Sequence, residues 1–194
     1  MARICIINAH PDPTPGRFCH ALADAYEEGA HEGWHTIERI NIAELDVAPL
    51  SSVADFATPP PEPVFSEREK LAGADHVCLI FPLWLGAMPA KARAFFEQMA
   101  RAEFLLAAAD SSKSWPKKMM KGKSARIIVT MGMPGFAYKL VFDSGSLKAL
   151  ERGMLGISGF KPVRHTILGG VEAAGADKRK AWLQKINQLG QKAE

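Results

Sequence analysis

Apolar positions along the chain fall into five short runs, separated by stretches whose apolar residues recur at helical spacing. Arg3–Asn8 (Arg-Ile-Cys-Ile-Ile-Asn) predicts strand one, and Trp34–Ile42, alternating through Thr36, Ile37, Glu38, Arg39 and Ile40, predicts strand two. Val77–Phe81 is continuous and apolar, the pattern of a strand covered on both faces as in a parallel sheet. Ala125–Thr130 and Pro162–Leu168 predict strands four and five. Between them, Phe18, Leu22, Ala25 and Tyr26 predict a helix that ends at Gly29 and Gly33. Ser66–Gly73 predicts a short helix with Ser66 and Glu69 as its capping box. A helix runs from Pro89 to about Leu106, Leu140–Leu155 is helical in parts, and Lys178–Gln191 is a terminal amphipathic helix. Strands that alternate with helices in this way build a parallel α/β sheet.

Two stretches break the rhythm. Ala48–Val64 carries Pro49 and the Pro59–Pro63 cluster, and reads as an extended surface excursion. Ala107–Gly122 is polar and irregular, with lysines gathered in Lys113–Lys123. Neither side of the first stretch is large enough to stand alone, and no second hydrophobic block needs a domain of its own, so residues 1–194 make one domain.

The loops that follow the strands are the informative part, because ligands of open α/β sheets sit at the strands' carboxyl ends. After strand one comes Ala9-His-Pro-Asp-Pro-Thr-Pro-Gly16, and then a helix start whose unpaired N–H groups suit a phosphate. His10, Thr14 and Arg17 add side-chain donors there, although His10 also reads as a plain turn residue and Arg17 as a solvated one. After strand three comes Phe81-Pro-Leu-Trp-Leu-Gly-Ala-Met-Pro89, in which Pro82 stops the ladder and Pro89 opens the next helix. Leu83, Trp84, Leu85 and Gly86 between the prolines make either a flat apolar platform for a planar heteroaromatic ligand or a buried loop packing Trp84 into the core. After strand four, Thr130–Tyr138 supplies Gly132 and Gly135, which let backbone approach a ligand closely. Tyr138 adds a phenol, or else a half-buried aromatic at a helix start. A ligand with a phosphate at loop one and a ring at loops three and four is a flavin.

Composition narrows this reading. A hydrophobic content of 47% with 23% charged residues is ordinary for a soluble globular protein. The net charge of +3 is too small and too evenly spread for a nucleic-acid partner. Cys5, Cys19 and Cys78 have no metal spacing and read as small core residues in a reducing compartment. No apolar run approaches membrane-spanning length and no signal-peptide core is present, so the expected location is cytoplasmic. The six histidines are scattered, with His76 and His165 inside strands as structural residues, and Asp12 and Glu172 are loop carboxylates without a visible partner.

Ala9-His-Pro-Asp-Pro…Phe18, Phe81–Pro89 with Phe95-Phe-Glu97, and Thr130-Met-Gly-Met-Pro-Gly…Tyr138 together resemble the flavodoxin-like NAD(P)H:quinone oxidoreductases, in order and over nearly the whole chain. The resemblance implies a flavodoxin-like five-stranded parallel sheet in the order 2-1-3-4-5, with helices on both faces. It implies that His10, Thr14, Arg17, Phe18 and Cys19 surround the flavin phosphates. Pro82, Leu83, Trp84 and Leu85 would line the isoalloxazine, with Thr130, Met131, Gly132 and Met133 on its pyrimidine side. Tyr138 and Gly132 would be the catalytic pair. The chain departs from the family in carrying Cys19 where an Asn is usual, and in having Phe142-Asp-Ser-Gly145 where a histidine often follows the tyrosine.

The implied reaction is hydride transfer from NAD(P)H through flavin N5 to a quinone or similar flat acceptor, in a two-electron ping-pong order, by a homodimer. The apolar helix that begins at Pro89 either makes the dimer contact or simply covers the sheet. The long proline-rich first loop leans towards FAD over FMN, because an adenylate needs somewhere to lie. Without a G-x-G-x-x-G, the nicotinamide is a visiting co-substrate. Two other functions share the fold: a flavin-bearing subunit docked on a membrane transporter, and a flavodoxin-type electron carrier, which is usually acidic where this chain is basic.

Overall fold

A computed structural model describes residues 1–109 and 115–194. Its parallel sheet is built from β1 (Arg3–Asn8), β2 (Thr36–Asn41), β3 (His76–Pro82), β6 (Ser124–Met131) and β7 (Val163–Gly169), in the order β2-β1-β3-β6-β7. That is the 2-1-3-4-5 order expected of the five runs. Two residues each of β4 (Leu106–Ala107) and β5 (Lys117–Lys118) form a small antiparallel pair within the second irregular stretch. Lys113, at the head of the lysine cluster, lies outside the described residues.

The period-two alternation of a strand sends neighbouring side chains to opposite faces, and here each face is buried. Cys5, Ile7, Leu79 and Phe81 point into one core; Ile4, Ile6, Cys78 and Ile80 point into the other. All seven residues of β3 are buried, as a central strand covered on both sides must be. The first core is closed by α2 (Val64–Gly73) through Leu71 and by α3 (Ala90–Met99) through Phe95, Phe96 and Met99. The second is closed by α1 (Phe18–Glu32) through Leu22 and Tyr26, and by α6 (Ala176–Gln191) through Ile186. Each of these large side chains contributes about 1.5–3 kcal/mol by leaving water. Helices α1 and α6 cross backbone on backbone: a Cβ on Gly190 would lie 2.1 Å from the Tyr26 carbonyl oxygen.

Local expectations fail where another element intervenes. The helix after β3 ends at Met99, not near Leu106. Arg68 of α2, itself buried, donates to the Met99 carbonyl at 2.9 Å and to that of Arg101, so a neighbouring helix satisfies the end of α3. Ala102 and Glu103, both at positive φ, then turn the chain away. The apolar side of α3 thus covers its own sheet.

Helix α2 starts at Val64 after Pro63, so Ser66 lies inside the first turn and donates to Glu62 at 2.8 Å instead of capping. The capping box present is that of Ser52 and Asp55 in the excursion. Pro82 does not stop the ladder. It is the last residue of β3, and Leu83 N–H still donates to the Thr130 carbonyl at 2.7 Å. Successive N–H groups face opposite neighbours, so the missing donor of Pro82 faces β1, which has already ended at Asn8. The 140–155 region resolves into α4 (Gly135–Val141), α5 (Gly145–Lys148) and a π-helical segment, Ala149–Gly156.

Candidate functional site

β1, β3 and β6 are adjacent, so their following loops emerge side by side at the carboxyl edge of the sheet. Side chains tie these loops together. The His10 ring of loop one meets the Trp84 ring of loop three edge-on, with centroids 5.8 Å apart. Cys19 Sγ, in the first turn of α1, lies 3.4 Å from Thr130 Oγ1 at the end of β6. Leu83 of loop three bonds the Thr130 carbonyl, as above.

Loop one is organised by its own polar groups. Asp12 accepts from Thr14 N–H at 2.8 Å, an Asx turn, and from Arg17 Nε at 2.8 Å. Hydrogen bonds from Thr14 and the pairing with Arg17 lower the Asp12 carboxyl to about 2. Asp12 therefore has partners, and Arg17 is held by a carboxylate beside the helix start. His20 Nδ1 accepts from Asn8 Nδ2 at 2.7 Å, so its Nε2–H donates to the Asp12 carbonyl at 3.0 Å. His10 Nδ1 accepts from Asp12 N–H at 3.1 Å, and its ring lies 5.4 Å from that of His20. Burial, then the neighbouring His20, lowers the His10 pKa and favours the neutral ring. Phe18 and Cys19 occupy the first turn of the fifteen-residue α1, where backbone N–H groups have no intrahelical acceptor.

Loop three is apolar and exposed. Trp84 and Ala87 exchange backbone hydrogen bonds at 2.9 and 3.0 Å around a tight turn. Leu85 (φ 48°) and Gly86 (φ 78°) form its centre, as a two-residue hairpin turn with positive φ at both positions requires. The turn leaves Trp84 48% exposed and Leu85 fully exposed, so this segment is not a buried loop packing Trp84 into the core. On loop four, Thr130 and Met131 are buried, Met133 is half-buried, and Gly132 is exposed. The loop after β7 reinforces it: Gly170 N–H donates to Met133 at 2.9 Å and Val171 N–H to Met131 at 3.2 Å. Glu172 of that loop lies against Gly132, its carboxylate 3.4 Å from where a Cβ would stand.

Two of the expected residues face elsewhere. The Cys19 side chain is 2% exposed among Leu22, Ile6 and Ile128, and burial pushes its thiol up to about 11, so only its backbone is available to a ligand. Tyr138 is 1% exposed; its hydroxyl pairs with Ser146 Oγ at 2.6 Å and accepts from Leu147 N–H at 3.3 Å. The seven-residue α4 turns this phenol inward toward α5, while Phe136, Leu140 and Val141 of the same helix are exposed. Sequence reasoning missed Asn8, His20, Ser146 and Glu172. Only His20 had a readable signal: it lies in the helix turn that faces back over loop one. Among the described residues no His/Cys/Asp/Glu cluster could hold a metal ion, and no helix is long and apolar enough to cross a membrane.

The donor set fits a flavin phosphate ester. A helix start with free N–H groups and Thr14 lies at one end, and an exposed ring platform beside a backbone-only residue, Gly132, at the other. Known proteins agree on the architecture. An uncharacterized NAD(P)H oxidoreductase of Haemophilus influenzae is 23% identical over 191 residues, covering 96% of this chain and 93% of its own. The NAD(P)H:quinone oxidoreductase of Methanothermobacter marburgensis superposes with a TM-score of 0.80 at 21% identity, covering 98% and 96% of the two chains. An FMN-dependent NADH-azoreductase of Bacillus anthracis, solved with FMN, gives 0.76 at 17% identity, covering 99% of each. The profile of the Flavodoxin_2 family matches residues 2–193, nearly end to end, and the chain belongs to that family, with its flavodoxin-like fold.

Proposed function

We propose that the chain is a flavin-dependent NAD(P)H oxidoreductase acting on quinones or similar flat acceptors. The observation that carries this reading is the joining of three strand-end loops by the His10–Trp84 and Cys19–Thr130 contacts. The names of the related enzymes, a quinone oxidoreductase and an azoreductase among them, support it. When bound, the flavin supplies hydride acceptance at N5 and two-electron delivery to the acceptor in a ping-pong order.

The chain's residues supply position. The first turn of α1, with Thr14, holds the phosphate by backbone N–H groups and the helix dipole. Arg17 contributes only as far as phosphate competes with Asp12. Pro82, Leu83, Trp84 and Leu85 set the ring against the sheet edge, and Gly132 N–H addresses its polar rim, where negative charge gathers on reduction. Tyr138 orients the acceptor through Ser146 Oγ, because its own hydroxyl is enclosed. FAD is favoured: next to the phosphate turn, Phe18 packs on Trp182 at 5.9 Å with the Arg179 guanidinium over Phe18, a cationic aromatic surface for an adenylate. The exposed apolar face of α4 (Phe136, Leu140, Val141) with Trp84 and Leu85 supports a homodimer.

Purified protein should be yellow, release FAD on heating, and oxidise NAD(P)H with menadione faster than the free cofactor does. A colourless protein that refuses both FMN and FAD rejects the reading.

A further inference from the structure

Beside the loop cluster lies an apolar cleft of about 500 Å³, lined by none of the residues assigned above to the cofactor. One wall is the end of β3 and the turn after it (Phe81, Met88), a second is α3 (Phe96), and a third is the π-helical segment (Leu150, Met154). The π-helical turns are wider than α-turns. They are possible here because Gly156 lacks the Cβ that would stand 2.8 Å from the Glu151 carbonyl oxygen. The segment is anchored from outside, since Glu151 pairs with His165 on the edge strand β7. The wall is therefore braced and does not depend on an occupant to hold it open.

The polar groups around the cleft are few and mostly spent. Ser158 Oγ donates to the Met154 carbonyl at 2.7 Å, and Ser146 Oγ is 2.6 Å from the Tyr138 hydroxyl. Arg93 and Glu97 neutralise each other at 2.8 Å, with Arg93 64% exposed, which puts the pair at the mouth. Among the described residues, the one cation of the lining is Arg93, which Glu97 neutralises, so a phosphate or carboxylate finds no match here. What this lining suits is a neutral hydrocarbon. Its volume is in the range of small-molecule sites. Through Met88 and Ala87, the cleft opens onto the hairpin that carries Trp84.

We propose that this cleft takes the isoprenoid or alkyl tail of a lipophilic quinone whose head group lies at the loop cluster. The proposal rests on the quinone-reductase reading and extends it to the class of acceptor. Gly153 offers the test. It lines the cleft, its φ is not left-handed, and a Cβ there meets nothing within 4 Å, so the cleft wall has room for a larger side chain.

The flavin-loaded protein and its Gly153→Phe variant are compared on a benzoquinone with and without a decyl tail. Each buried methylene is worth about 0.8 kcal/mol, so excluding two of them costs about tenfold. The KM for the tailed quinone should rise by about tenfold or more, and that for the tailless one by less than about twofold. Gly153→Leu, a smaller intrusion, should act in the same direction and serves if the Phe variant does not fold. A second arm needs no turnover: N-phenyl-1-naphthylamine should brighten on the wild type, be displaced by farnesol, and bind poorly to either variant.

Equal effects on the two quinones, or a dye that farnesol does not displace, overturn the proposal. So does a variant that changes oligomeric state, because the cleft would then hold side chains of a second copy. If farnesol displaces the dye but neither quinone is reduced, the reductase reading fails while the hydrocarbon site stands.

Discussion

The two ends of the sheet use the same residue types to opposite effect. At the amino end, His76 is 3% exposed, stacked on the Tyr26 ring and bonded through Nδ1 to Ser124 Oγ at 2.7 Å. Its Nε2 and the Nε of Arg126 are buried without a partner. At the carboxyl end, His10 and His20 also pack together, but against loops and against a half-exposed Trp84. Polar side chains are thus enclosed within the core where strands begin and stand among loops, beside exposed surface, where strands end. The histidine itself does not decide which.

The largest effect should come from the amino end. Tyr26→Ala removes a fully buried ring and should cost about 3–5 kcal/mol in a denaturant titration, with flavin affinity preserved in whatever remains folded. Next comes acid. Burial, then the charges of Arg126, Arg164 and His35, lower the His76 pKa from 6.5 to about 4, so the folded state favours the neutral ring. That stability is complete above about pH 6.5 and lost as pH falls toward 4, on the order of 3 kcal/mol in all. His76→Gln should flatten this slope; an unchanged slope would place the acid sensitivity elsewhere.

At the carboxyl end the ordering reverses. Trp84→Ala should shift the unfolding midpoint little, but weaken flavin binding by about tenfold, as loss of an aromatic platform worth about 1–1.5 kcal/mol implies. A large loss of stability with unaltered flavin affinity would erase the contrast between the ends. The smallest effect is at the exposed Asp12–Arg17 pair. Asp12→Asn keeps the acceptor for Thr14 N–H, removes a negative charge and frees Arg17. Titration should show modestly tighter FMN binding, by less than about tenfold, and no change for riboflavin, which lacks the phosphate.

Much of this architecture was legible in one dimension. Short apolar runs, of which only the second alternates, and their proline- and glycine-rich followers marked all five strands of the parallel sheet and the loops that meet at its edge. The reason is that strand burial and turn geometry are decided by a few consecutive residues. Tertiary structure alone decided the rest. The end of α3 depends on Arg68, some thirty residues earlier in the chain. Trp84 stands in solvent because of the turn at Leu85 and Gly86, and Tyr138 is enclosed because Ser146 and Leu147 meet its hydroxyl. The cleft behind them exists because a π-helical segment and α3, distant in sequence, face each other across β3. Side-chain direction and long-range hydrogen bonds settle such features, and neither leaves a period in the sequence.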